Sequence, residues 1–319
     1  MFYERKYALA LKGRIVSLRA GSYTVIRNSE CGIRNFVCRA RGRFRKDGVT
    51  PLVGDMVLAE DLGGGEGFIT EILPRKNALR RPPLANLDQL FLVCSVTQPS
   101  PNPRILDTLI ALAALGDIEP ALVFTKCDLR GAEGLLETYR AFPCFDISPE
   151  SDAGGIKSLL AGKVSAFCGN TGVGKTTLLN RLAPEMGLPT GEISQKLGRG
   201  RHTTRHAELY PVAGGWVADT PGFGTLSPGG FGTLSPGGFG TLELQEELTK
   251  ENLAQCFREF APYGGECRFP DCAHVKDKGC RILEAVAAGE IPRSRWESYA
   301  ALYTQFGMRN SEFGIKRKS

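Results

Sequence analysis

Over roughly the first seventy residues, apolar and polar positions alternate in short runs. "GRIVSLRAGSYTVIRN", "RNFVCRARGRFRKDG", "VGDMVLAED" and "EGFITEIL" each follow this pattern, separated by Gly, Asn or Asp. A period of two puts one face of each run in a core and the other in water, so the runs predict short strands. Several such strands at this spacing predict a small barrel over residues 1–73. "PRKNALRRPP" interrupts the pattern. Pro74, Pro82 and Pro83 bracket a basic segment, which reads as a linker unable to continue a strand ladder.

From residue 88 the period changes. "LDQLFLVCSV" and "ALVFTKCD" are continuous apolar runs of the kind buried on both faces of a sheet, and "RILDTLIALAALG" between them has helical spacing. "VSAFCGN" reads as a strand entering a Gly-rich loop, "KTTLLNRL" as a helix and "GWVADTPG" as another strand. Strands alternating with helices predict a parallel sheet covered on both faces, here across residues 74–243. Beyond residue 243 the pattern turns helical. "LELQEELTKENLAQCFREF" places Leu244, Leu248, Phe257 and Phe260 near helical spacing, a Cys/His loop follows, and "ILEAVAAG" and "SRWESYAALYTQF" predict two further helices in a domain over 244–319.

Composition narrows the function classes. The chain has 319 residues, 42% hydrophobic and 23% charged, which suits two or three soluble domains. Its apolar runs are too short for a membrane span or a signal peptide, so a cytoplasmic protein without a membrane partner is expected. The ten cysteines lack the dense spacing of a disulfide scaffold, and most are expected to be buried thiols. Net charge is +6, yet residues 1–82 hold sixteen Lys and Arg against eight Asp and Glu, leaving the remainder at −2. Such a basic barrel suits a phosphate backbone, or is a plain solvated surface. Phe44, amid Arg41, Arg43, Arg45 and Lys46, either stacks on a base or packs in the core.

The chemistry lies in the middle third. "GNTGVGKTT" (Gly169, Asn170, Thr171, Gly172, Val173, Gly174, Lys175, Thr176, Thr177) matches the phosphate-binding pattern G-x-x-x-x-G-K-[ST] between a strand and a helix. Its glycines let successive backbone N–H groups face phosphate, Lys175 can reach the β and γ phosphates, and the Thr176 hydroxyl can ligate Mg²⁺. "TKCD" (Thr125, Lys126, Cys127, Asp128) addresses the base. The Asp128 carboxylate can accept from guanine N1–H and its exocyclic amine, the Lys126 stem can lie against the base, and Ser148 in "DISPES" can support the loop. In "DTPG", Asp219 can hold Mg²⁺ through water and the Gly222 N–H can face the γ-phosphate. "GRGRHTTR" supplies Thr203 or Thr204 as a switch ligand to Mg²⁺. Base reader before phosphate loop reverses the usual chain order, and rejoining the ends of a compact domain produces that reversal.

Near the C-terminus, Cys267, Cys272, His274 and Cys280 stand in a C-x₄-C-x-H-x₅-C spacing. Three thiolates and an imidazole make a closed tetrahedral shell for one structural Zn²⁺. The reversed order, "GRGRHTTR" and "DTPGF" together resemble the RsgA (YjeQ/YloQ) family of circularly permuted GTPases, and the resemblance covers nearly the whole chain. It implies an OB-like barrel, a permuted P-loop GTPase domain and a helical zinc-binding domain in one α/β multidomain chain. It further implies GTP and GDP with Mg²⁺ as ligands, the same Cys-Cys-His-Cys zinc site, and assistance to late maturation of the small ribosomal subunit through its rRNA. The residue after "DTPG" is Phe223, which cannot orient water as a Gln would. The family's His in H-T-T matches His202, the expected catalytic partner of Lys175. A monomer is expected.

Two other readings stay open from the residues alone: a P-loop ATPase or kinase acting on a small molecule, and an RNA-binding assembly module whose nucleotide site is only structural. One feature departs from the family. "FGTLSPGGFGTLSPGGFGTL" at 223–242 repeats an eight-residue unit, too short and Gly-rich to bury a core, and reads as a tandem duplication or a sequence artefact.

Overall fold

The computed structural model describes residues 10–29, 32–42, 44, 48–81, 83–170, 172–184, 208–219, 243–244 and 248–314. The four alternating runs form five strands, the first run supplying two: β1 (Ala10–Arg19), β2 (Ser22–Ser29), β3 (Gly32–Ala40), β4 (Met56–Gly63) and β5 (Glu66–Ile72). They close in the order β1-β2-β3-β5-β4-β1, with β3 and β5 parallel and the other pairs antiparallel. The inward residues of the alternation, among them Ile15, Val25, Phe36, Val57 and Ile69, fill the barrel. Phe44 is 7% exposed and belongs to this core, so of the two readings of that aromatic the packing one holds.

The segment after the barrel is not a free linker. Ala78–Arg81 is a strand, β6, pairing with β7 (Leu84–Ala85) and, on its other side, with Glu243–Leu244. Pro74 and Pro83 lie outside the paired residues of β6, so they bound the ladder instead of breaking it, and Pro82 lies outside the described residues. Arg75 reinforces the joint: its Nε and Nη2 each lie 2.7 Å from the carboxylate of fully buried Asp55 in the barrel.

The next part alternates as the pattern predicts: β8 (Gln89–Ser95), α1 (Pro103–Leu115), β9 (Glu119–Thr125), α2 (Glu133–Thr138), β10 (Cys144–Ile147), α3 (Gly154–Leu160), β11 (Val164–Cys168), α4 (Lys175–Leu182), β12 (Glu208–Val212) and β13 (Gly215–Asp219). Strands β10-β9-β8-β11-β13 are parallel neighbours in that order. All seven residues of β8 are buried, as a central strand covered on both faces requires. Phe91 of β8 and Phe167 of β11 are register partners with rings stacked at 4.6 Å. Antiparallel β12 follows β13 and meets β1 at Ser17 and Glu208, so the barrel and the parallel sheet are one continuous sheet. An Arg19–Glu208 ion pair at 2.7 Å reinforces the join.

The predicted long helix over 242–260 does not form. Glu243–Leu244 is strand β14, Leu244 pairs with Leu79, and residues 254–256 and 258–263 are 3₁₀ turns separated by extended Phe257 (φ −101°, ψ 97°). Pro262, inside the second turn, has no N–H to carry an α-helical ladder. The two later helices are present as α5 (Arg281–Ala287) and α6 (Arg293–Gly314). They share an apolar core with Leu253, Phe257, Phe260 and Ala111 of α1. On the same side of α1, Arg295 donates to Asp107 Oδ1 at 2.6 Å and to both Glu259 oxygens at 2.6 and 3.1 Å. Arg295 and Asp107 are wholly buried, Tyr139 donates to the same Asp107 oxygen at 2.9 Å, and the Arg295 guanidinium lies 4.8 Å from the Phe257 ring centre.

Candidate nucleotide site and metal centre

In a parallel sheet, loops leaving the C-terminal strand ends share one edge. Thr125 ends β9, Ile147 ends β10 ahead of Ser148, Cys168 ends β11 ahead of Gly169, and Asp219 ends β13. Registers Phe124 with Asp146, Ala166 with Ala218 and Leu92 with Cys168 bring these ends side by side. The stretches expected to read base and phosphate therefore leave the sheet along one edge although the chain reaches them in reversed order.

Local packing shapes each loop. A Cβ on Gly169 would sit 2.4 Å from the Val93 carbonyl oxygen, so only glycine lets β11 enter the loop this close to β8. Gly174, the residue before α4, has φ 93°, a left-handed conformation that glycine takes without steric cost as the loop enters the helix. α4 follows at once, with Lys175 and Thr176 in its first turn. Burial pushes the thiols of Cys94 and Cys168 up to about 12, so these sheet cysteines are neutral packing groups.

The two loops are bonded to each other. Thr125 Oγ1 donates to the Val173 carbonyl of the phosphate loop at 2.5 Å, with Cys94 O farther away at 3.3 Å. Lys126, at φ 61°, turns its ammonium onto Gln98 O at 2.5 Å. Cys127 N–H donates to Ile147 O at 3.2 Å and its thiol faces Phe124 O. The turn so pinned leaves Asp128 exposed, and its carboxylate makes no hydrogen bond or ion pair among the described residues. Of the sequence-derived site residues, Thr171, His202, Thr203, Thr204 and Gly222 lie outside the described residues, as does the 223–242 repeat. Two partners were not read from the sequence: Gln98, and Arg181 of α4, which bonds the turn at Ser148.

The four Cys/His residues converge, their ligand atoms all within 4.8 Å of one another. His274 Nδ1 is 3.6 Å from Cys267 Sγ and 3.5 Å from Cys280 Sγ, and those two sulfurs are 4.0 Å apart. A tetrahedral Zn²⁺ shell with bonds of about 2.3 Å to sulfur and about 2.0 Å to nitrogen has edges of about 3.5–3.8 Å. Donor set and spacing fit that ion. α6 holds the backbone that carries the imidazole: Trp296 Nε1 donates to His274 O and Tyr299 hydroxyl to Ala273 O, both at 2.9 Å, and His274 takes a left-handed φ of 57°.

A closed five-stranded barrel continuous with a parallel sheet, in which the TKCD turn precedes the phosphate-loop motif, defines a circularly permuted P-loop GTPase with an attached Cys₃His module. Family models agree: one described as RsgA GTPase matches residues 72–228, and one described as RsgA N-terminal domain matches 12–69. The chain belongs to the RsgA family. The small ribosomal subunit biogenesis GTPase RsgA of Caldanaerobacter subterraneus subsp. tengcongensis is 41% identical, covering 92% of this chain and 94% of that one. The protein of that name in Bacillus subtilis is 36% identical, covering 95% and 99%. Among solved structures, YloQ, a circularly permuted GTPase, is 30% identical with a TM-score of 0.76, covering 97% of this chain and 99% of that one. YjeQ from Thermotoga maritima is 32% identical with a TM-score of 0.75, covering 93% and 99%.

Proposed function

We propose that this chain binds GTP along the C-terminal edge of its parallel sheet and hydrolyses it while docked on the small ribosomal subunit, whose late maturation it assists. The observation that carries this reading is the bond from Thr125 to Val173, which ties the TKCD turn to the phosphate loop and so supports a single site despite the reversed order. In this division of labour the barrel of 1–73 grips rRNA, 74–243 turns over GTP, and 244–319 is the zinc-held module of a cytoplasmic monomer. Asp128 reads guanine, with Thr125, Lys126, Cys127 and Ser148 shaping the loop around the base. Amides of Gly169–Thr177 and the Lys175 ammonium face the phosphates and stabilise charge as water attacks the γ-phosphate. Mg²⁺, held by Thr176, Asp219 and one of Thr203 or Thr204, supplies further neutralisation of the phosphate oxygens. Gly222 faces the γ-phosphate and His202 orients the water.

The test is GTP turnover by the full chain alone, with small subunits and with large subunits, using ATP as the control nucleotide. Stimulation by small subunits with GTP alone is expected, and His202→Ala should abolish that stimulation while nucleotide binding persists. Equal slow turnover in every mixture would refute the ribosomal role, and equal use of ATP would favour a small-molecule ATPase.

The barrel supplies a second prediction. Arg27 and Arg34 are direct cross-strand partners on β2 and β3, and neither forms a hydrogen bond or ion pair among the described residues. Like charges placed opposite each other cost stability, which an anionic partner offsets. Replacing both with Gln is expected to lower the salt slope of small-subunit binding by about 1.5, with basal turnover unchanged. An unchanged slope would remove the pair from the RNA contact.

For the metal, Trp296 is a built-in reporter, since its indole bonds the His274 carbonyl. In a Trp216→Phe background it is the one remaining tryptophan. Metal analysis is expected to give one zinc per chain, and a strong chelator should shift Trp296 emission to the red as the module loosens. Emission indifferent to chelation in a zinc-containing sample would argue against the structural role.

A further inference from the structure

α4 begins with Lys175 and Thr176 at the phosphate loop, and its last turn carries Arg181. The Arg181 guanidinium donates through Nη1 to Ser148 O at 2.7 Å and through Nη2 to Ser151 O. Those carbonyls belong to a turn that Ser151 closes: Ser148 N–H donates to Ser151 Oγ at 2.8 Å, the two hydroxyls are 2.8 Å apart, and Ser151 N–H donates to Ser148 O at 3.3 Å. One residue earlier, Ile147 O accepts from Cys127 N–H, next to Asp128. A continuous set of bonds therefore runs from α4 to the loop assigned to the base.

The fold does not need an arginine here. The turn lies at the surface, with Pro149 and Glu150 exposed between the two serines. Water would satisfy both carbonyls at little cost. An arginine does something water cannot: its planar fork holds two acceptors in fixed relation to the helix that carries it. We propose that Arg181 is a positioning residue for guanine recognition, clasping the base-reading turn to the phosphate-binding helix so that both ends of the nucleotide meet one rigid frame. The bond spans the point where the permuted chain joins its two halves, through α3 and β11. This inference rests on the reading of Asp128 as the guanine reader.

The test compares GDP with IDP, which lacks the exocyclic amine, in equilibrium binding to the full-length protein and to its Arg181→Ala, Arg181→Lys and Asp128→Ala variants. Loss of the clasp is expected to weaken GDP binding about tenfold and to shrink the GDP preference over IDP at least about threefold. The melting temperature should hold, and Arg181→Lys should fall between wild type and Arg181→Ala. Parallel weakening of both nucleotides with an unchanged ratio would reduce Arg181 to a general structural role and overturn the proposal. Should Arg181→Ala fail to fold, the ratio in Arg181→Lys decides the same point. Asp128→Ala separates the two ideas. If it leaves the GDP preference intact, the base-reading assignment fails and the clasp with it; if it abolishes a preference that Arg181→Ala retains, the clasp alone is wrong.

Discussion

Replacing Arg295 with Met is expected to destabilise the protein by about 3–5 kcal/mol at neutral pH, the cost of leaving buried charge without its partner. Asp107 and Glu259 both bond this guanidinium, and without it two carboxylates face each other beneath α6. Tyr139 cannot replace the cation, because burial and Asp107 raise its pKa and keep it a neutral donor. The pH dependence follows from the sign of the shift. Burial already raises the Asp107 pKa above its ordinary range, and losing Arg295 removes the opposing attraction. A carboxyl whose folded pKa is raised binds protons more readily in the folded state, so its contribution to stability is greatest below about pH 3.9 and is lost as pH rises through the folded value. The variant should therefore be relatively better at pH 5 than at pH 7. Urea unfolding at both pH values measures this, and adding Asp107→Leu with Glu259→Gln should recover part of the loss. A single variant as stable as wild type at pH 7 would show that the cluster does not hold the C-terminal module to α1.

What the sequence disclosed depended on whether the cause was local. β8 was legible because both of its faces are buried and seven consecutive residues are apolar or hydrogen-bonded within the core. The phosphate loop and the Cys/His spacing were legible because short-range backbone and ligand geometry dictate them. The helix expected over 242–260 came from real apolar spacing, but Leu244 spends that spacing on a strand partner 165 positions earlier, Leu79, and Phe257 turns inward from extended backbone. Phe44 left a base contact and core packing both open because its neighbours are basic, and the barrel core takes it. Nothing local in "KTTLLNRL" marks Arg181, whose partner Ser148 is 33 residues away, and Asp107 meets Arg295 across 188. An aspartate among the apolar positions of "RILDTLIALAALG" was the one sign that α1 must find a buried cation.

Asp128→Asn is expected to exchange the preferred base. A carboxylate accepts from both N1–H and the 2-amine of guanine, and two hydrogen bonds to a charged acceptor at about 1.5–3 kcal/mol each amount to about 100- to 10,000-fold in affinity. A carboxamide retains one acceptor and substitutes a donor, which opposes the guanine amine but matches the 2-carbonyl of xanthine. XTP should therefore become the favoured triphosphate and the favoured substrate, while ATP stays excluded because its purine carries no N1–H for either side chain. The loop suits such a clean exchange: the Lys126 bond to Gln98 O and the Cys127 bond to Ile147 O are independent of the Asp128 side chain, so its replacement alters chemistry without moving backbone. Competition binding of GTP, XTP and ATP to the wild-type and Asp128→Asn proteins measures the exchange, and small-subunit-stimulated turnover with XTP would show that the rest of the site still works. Retention of GTP selectivity by the variant would place base recognition elsewhere and leave the bond between Thr125 and Val173 as packing alone.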